Sequence, residues 1–211
     1  MRNWHLGLVA AWLAMLPMSA RAADVTVSRS VGRFETVRVD GRFVLHIAVG
    51  AKQAVSLSGD RYLIDNLRIT TMGGVLAIVR PQGFDLPHDQ TVTITIETPK
   101  LTALDVRGLV HARVTGLTGR RFALTNNGTA AMTLAGDVGH FKLISRGVAS
   151  IDAGALHAAS LSVMLRGQGN MRVFASHDAI VTLYGEGRVV VLGHPPVHQF
   201  KTLAYGVISL K

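Results

Sequence analysis

Phe141-Lys142-Leu143-Ile144-Ser145-Arg146-Gly147-Val148-Ala149-Ser150-Ile151 is answered one period later by Leu161-Ser162-Val163-Met164-Leu165-Arg166-Gly167-Gln168-Gly169-Asn170-Met171. In both stretches apolar and polar residues alternate up to an Arg-Gly pair, and a second alternation follows it. Glycines recur at 108, 128, 147, 167, 185 and 206, with spacings of 20, 19, 20, 18 and 21. Phe200 to Ser209 repeats the pattern with a truncated second half. Alternation with period two describes half-buried strands. A repeat this short cannot bury a face alone, so neighbouring repeats must stack into one core.

About twenty residues hold two or three strands of roughly five residues each, joined by tight corners. If each repeat makes one turn, equivalent strands lie parallel and about 4.8 Å apart. A glycine at a fixed place then marks a corner where a side chain would clash or where φ is positive. The expected fold is therefore all-β, a right-handed parallel β-helix or solenoid of about 20-residue coils. An antiparallel β-sandwich also repeats its strands, every 8–12 residues, but leaves the glycine register unexplained.

The rest of the chain agrees in class. Val37-Arg38-Val39-Asp40, Val55-Ser56-Leu57-Ser58 and Thr91-Val92-Thr93-Ile94-Thr95-Ile96 alternate, with breaks at Asp40-Gly41, Gly59-Asp60 and Gly136-Asp137. Tyr62 to Ile69 is the one short helical candidate. Residues 24–100 are less regular than residues 101–211 and read as first coils and cap, with Pro81 to Gln90 as a polar surface loop. An open solenoid end after the last strand exposes unpaired edges, which makes it a candidate contact surface and homo-oligomer interface.

The first segment reads as an export signal. Arg2 supplies the positive start, Leu6 to Leu16 is an apolar run, Pro17 breaks it, and Ala20-Arg21-Ala22 suits a signal peptidase. The run is shorter than the roughly 20 apolar residues of a spanning helix. Cleavage after Ala22 leaves a single domain, residues 23–211, in the periplasm or on the surface of a bacterium. Losing Arg2 and Arg21 lowers the net charge from +9 to +7. No later stretch is long and apolar enough to span a bilayer. The chain has no cysteine, which excludes disulfides, thiolate metal sites and a lipid-modified cysteine. A positive exported surface suits anionic neighbours such as headgroups, cell-wall polymers or acidic sugars; the plainer reading is a basic surface that only keeps the protein soluble. Nucleic acid is not an expected partner, because basic and aromatic residues do not interleave.

The residues before the six glycines are Arg107, Asn127, Arg146, Arg166, Tyr184 and Tyr205. In a stacked solenoid they form a ladder, with Arg146 and Arg166 one rung apart, about 5 Å, and Arg107 two rungs beyond Arg146. Guanidinium groups that close need an anion or solvent between them, and their forks fit carboxylate, sulfate or phosphate. The ligand-binding expectation is thus an elongated site at Arg107, Arg146 and Arg166, with Tyr184 and Tyr205 offering flat faces to sugar rings. The plainer reading is a solvated edge whose long stems cover apolar corners.

Phe34-Glu35-Thr36-Val37-Arg38-Val39-Asp40-Gly41-Arg42-Phe43-Val44-Leu45-His46-Ile47-Ala48-Val49-Gly50 resembles the opening of the bacterial family described as putative auto-transporter adhesin head GIN domain. The resemblance continues through Val92 to Leu101 and the glycine repeats, and ends near Gly193-His194-Pro195. It implies an exported β-helix-like protein with a surface-interaction role and no active-site residues to carry over. The family commonly has serine before each repeat glycine, so the arginines and tyrosines here are this chain's own departure.

Catalytic and metal motifs are missing. There is no Gly-x-Ser-x-Gly, no His-Glu-x-x-His, no phosphate loop and no dinucleotide fingerprint. His194 and His198 are four apart, but the intervening prolines forbid a helix. His140, His177 and His198 each precede a repeat glycine by seven or eight residues and could meet at a corner. The acidic residues are scattered, with Asp85 and Asp89 or Asp60 and Asp65 close in sequence, so a carboxylate pair for polysaccharide cleavage would have to form in three dimensions. Asn127-Gly128-Thr129 matches a glycosylation sequon but reads as a turn. No cofactor and no metal are expected. The reading is a non-catalytic binding module for an anionic glycan, another envelope polymer or a protein; a self-associating envelope protein and a polysaccharide-acting enzyme are the alternatives.

Overall fold

The computed structural model describes residues 24–81 and 91–211. The signal read at residues 1–22, and positions 82–90 of the Pro81–Gln90 insertion with Asp85 and Asp89, lie outside the described residues. Among those described, no helix is long and apolar enough to cross a membrane.

The chain forms a β-solenoid of about five turns. Its spine is β2 (Thr36–Val49), β7 (Ala103–Asn126), β8 (Thr129–Ser145) and β9 (Val148–Leu165), paired in parallel in that order. The ladder then divides between β10 (Gln168–Phe174) followed by β12 (Glu186–Leu192) and β14 (Gly206–Leu210), and β11 (Asp178–Leu183) followed by β13 (Val197–Thr202). Parallel pairing of successive repeats excludes the sandwich, whose neighbouring strands would run antiparallel. The long strands carry on round their corners. Alternate side chains point inward and stack on their own equivalents, as Leu124, Leu143, Val163 and Val181 do in one column. Phe122 and Phe141 stack with ring centroids 5.9 Å apart, each fully enclosed in the core.

Residues 24–100 supply one solenoid strand and a differently built cap. The first half of β2 pairs in parallel with β5 (Val75–Val79), and its second half with β6 (Val92–Thr98). Beyond them the direction reverses. β4 (Arg68–Met72) runs antiparallel to β5, β3 (Ala54–Gly59) to β6, and β1 (Val25–Arg29) to β3. The helical candidate narrows to one turn, α1 (Arg61–Asp65), with Asp60 accepting from the backbone N–H groups of Tyr62 and Leu63; its Leu63 and Ile64 are buried. These reversals cover one end of the stack. At the other end, among the described residues, β13 and β14 are paired on one side only, leaving Val197, Leu203, Tyr205 and Val207 more than half exposed.

Candidate functional site

The glycine corner explains why the ladder exists. Gly108, Gly128, Gly147, Gly167 and Gly185 stack so closely that a β-carbon on any of them would lie against the carbonyl oxygen of the glycine one coil earlier, starting from Gly41 under Gly108. The preceding side chain is therefore held outward on a rigid edge. Arg107, Asn127, Arg146, Arg166 and Tyr184 all point to solvent there. Their rungs are set by backbone bonds: Asn127 N–H donates to Val106, Arg146 to Asn126, Arg166 to Ser145 and Tyr184 to Leu165, at 2.7–2.9 Å.

The edge satisfies part of its own charge. The Arg146 guanidinium donates to Asn127 Oδ1 at 3.1 Å. That of Arg166 lies 5.2 Å from the Tyr184 ring centre, a cation–π contact. Arg107 stands 3.9 Å from Asp105, whose carboxylate is held more closely by Arg38 at 3.1 Å. The edge can thus present guanidinium donors to an anion, with the Tyr184 face already occupied.

Tyr205 leaves the ladder. Leu203 N–H donates to Leu183, the bond pattern of a ladder position, and Gly206 pairs with Gly187 rather than Gly185. Leu203 is therefore the sixth rung. Tyr205, 88 % exposed, belongs two residues further along.

The histidines do not meet. His140 pairs with Ser160, which pairs with Asp178, while His198 pairs with Ala179 and His177 lies just before Asp178, so the three occupy different columns. Among the described residues no group of three or more histidines or carboxylates could hold a metal. Asp60 caps α1, and Asp65 is engaged by Arg29 and Arg61.

Reading the sequence missed Asn126. Its position alternates as an inward one, where Val106, Ser145, Leu165 and Leu183 stand in neighbouring coils, and its side chain is fully buried. The amide accepts from Gly128 N–H at 3.1 Å and donates to Ser145 Oγ at 3.1 Å, with further donations to the Gly128 and Val148 carbonyls. It ties the corner beneath the arginines from inside. A polar residue at an inward position of the alternation was the available signal.

The model of one family, described as putative auto-transporter adhesin, head GIN domain, matches residues 33–195. Among solved structures, a putative adhesin from Bacteroides fragilis NCTC 9343 is 17% identical, with 90% of this chain and 98% of that chain covered and a TM-score of 0.76. A putative adhesin from Parabacteroides merdae ATCC 43184 is 12% identical, with 89% and 96% covered and a TM-score of 0.48. A putative cell adhesion protein from Clostridium sporogenes ATCC 15579 is 10% identical, with 90% and 99% covered and a TM-score of 0.39. No curated protein matches. At such identities the first of these structures speaks for the fold.

Proposed function

We propose that this chain, which belongs to the putative auto-transporter adhesin, head GIN domain family, is an exported, non-catalytic binding domain with an adhesion-like role. Its partner in this reading is an anionic polymer of the cell envelope or of a neighbouring surface. The observation that carries the reading is the edge on which Arg107, Arg146 and Arg166 project from rungs about 4.8 Å apart. A stack of strands braced by backbone hydrogen bonds presents those groups with little freedom to lose, which favours binding of an extended partner. Guanidinium groups supply paired donors for carboxylate, sulfate or phosphate. The names carried by the family and by the similar structures support the adhesion-like part. The export pattern at the first 22 residues supports the location. Support for a non-catalytic role comes from Glu35, Asp105 and Asp152, each engaged by Lys100, Arg38 and Arg172 respectively.

The test is retention of the mature protein on acidic and neutral glycans at low and moderate salt, beside the Arg146→Ser/Arg166→Ser variant. Selective retention that weakens with salt and is lost in the variant sustains the reading. Equal retention of both proteins discards the edge as the contact.

A second reading, self-association through this end, rests on the outer edges of β13 and β14, unpaired among the described residues, and the apolar side chains exposed there. Edges of that kind pair readily with another chain. It predicts concentration-dependent assembly that ignores changes at Arg146 and Arg166.

A further inference from the structure

Beside the antiparallel cap, three segments far apart in sequence meet at a different corner. Thr102 N–H donates to the Glu35 carbonyl at 2.7 Å, and Ala123 N–H to the Thr102 carbonyl at 3.0 Å, so the three segments lie on successive rungs. Two residues before each of these positions stand Arg33, Lys100 and Arg121. Arg33 and Lys100 border an open groove of about 830 Å³ over Phe34, with the Gly73-Gly74 turn as one wall. Arg121 lines a second hollow of about 340 Å³, together with Thr118 and Arg120, and this hollow shares Lys100 and Thr102 with the first.

Four cations therefore line two adjacent hollows that meet at Lys100, and their linings hold one carboxylate, Glu35, itself 2.9 Å from Lys100. Unlike the arginines of the glycine edge, Arg33, Arg120 and Arg121 have no carboxylate, amide or ring of the described residues against them. Like charges gathered in a cleft focus the field and raise the local concentration of anions. The size falls within the range of small-ligand sites.

We propose that this groove binds an acidic sugar chain, one carrying carboxylate or sulfate groups, with Arg33, Lys100, Arg120 and Arg121 as the anion contacts. The site is separate from the arginine edge and does not depend on it. Glu35 favours a sugar over a bare polyphosphate. Beside its pair with Lys100, its carboxylate can accept hydrogen bonds from sugar hydroxyls, whereas a fully ionised phosphate chain has none to give and gains nothing at this point of the site. Cations on three rungs span roughly 10 Å, which suits several anionic groups along one chain.

The test is a titration followed by amide NMR, which reads the groove and the edge separately at Arg120/Arg121 and Arg146/Arg166. The probes are a galacturonate hexamer, a sulfated hexasaccharide, a neutral cellulose hexamer and a polyphosphate of matched charge. The mature wild type, Arg120→Gln/Arg121→Gln and Arg146→Ser/Arg166→Ser proteins are compared. The groove amides are expected to shift with an acidic hexasaccharide, and the glutamine variant to bind roughly tenfold more weakly at that site with an unchanged melting temperature. The serine variant should leave the groove shifts as they are. Groove shifts unchanged in the glutamine variant, equal shifts with the neutral hexamer, or a preference for polyphosphate would each overturn the proposal. Loss of edge shifts alone speaks only to the edge.

Discussion

The carbonyl oxygen of Gly128 occupies the space that a β-carbon on Gly147 would need. The same relationship holds between Gly147 and Gly167 and between Gly167 and Gly185. Glycine recurs in this family of corners because the backbones of successive coils touch there, whatever the side chains do elsewhere.

Gly147→Ala should therefore destabilise the fold by about 1–3 kcal/mol, the usual range for overpacking. Gly50→Ala is the control, since nothing lies within 4 Å of a β-carbon there and its φ is not positive. Thermal melting of the two variants should separate them clearly; equal melting temperatures would remove the close-contact account of the glycine repeat.

Asn126→Leu should cost about 1–3 kcal/mol, because Gly128 N–H and Ser145 Oγ lose a buried partner. Later coils hold Leu165 and Leu183 in this column, so the column accommodates leucine in shape. Adding Ser145→Ala should recover part of the loss, since it removes the second orphaned group. Urea unfolding of the two single variants and the double variant measures the coupling.

Arg166 and Tyr184 should be coupled by about 0.5–1 kcal/mol, the range for an exposed cation–π pair. A double-mutant cycle with Arg166→Gln and Tyr184→Leu reads it directly. A coupling of zero would free the Tyr184 face for a ligand.

Val207→Lys should leave the melting temperature nearly unchanged, because the side chain is 53 % exposed, yet suppress assembly at high protein concentration. An inserted lysine is a common way to blunt an exposed strand edge. Light scattering over a concentration series checks it, and assembly that persists unaltered would move the contact away from this end.

Much of the architecture was legible in order along the chain. Alternation gave the strands, and the spacing of Gly108 through Gly185 gave stacked coils with a glycine corner. Arg146 and Arg166 do stand on adjacent rungs, and Arg107 two rungs before Arg146. Tyr205 shows where counting from glycine to glycine fails. The spacing of 21 from Gly185 to Gly206 looked like one more period, yet Gly206 stacks on Gly187 and the ladder passes to Leu203. Loop lengths drift by a residue or two per coil, and only the hydrogen-bonded register decides which residues end opposite each other.

Sequence alone determined the class, the coil length and the outward place of the arginines, because these follow from local periodicity and from the room a backbone needs. Tertiary structure decided the rest. It reversed the strands of the cap, gave Arg146 to Asn127 and Arg166 to Tyr184, buried Asn126 at a core position, and left Tyr205 off the ladder. It also gathered Arg33, Lys100, Arg120 and Arg121 round two adjacent hollows from segments up to 88 residues apart in sequence. The physical reason is that a charge pattern acquires meaning only through distance. In a solenoid, distance is set by the accumulated register of every coil in between.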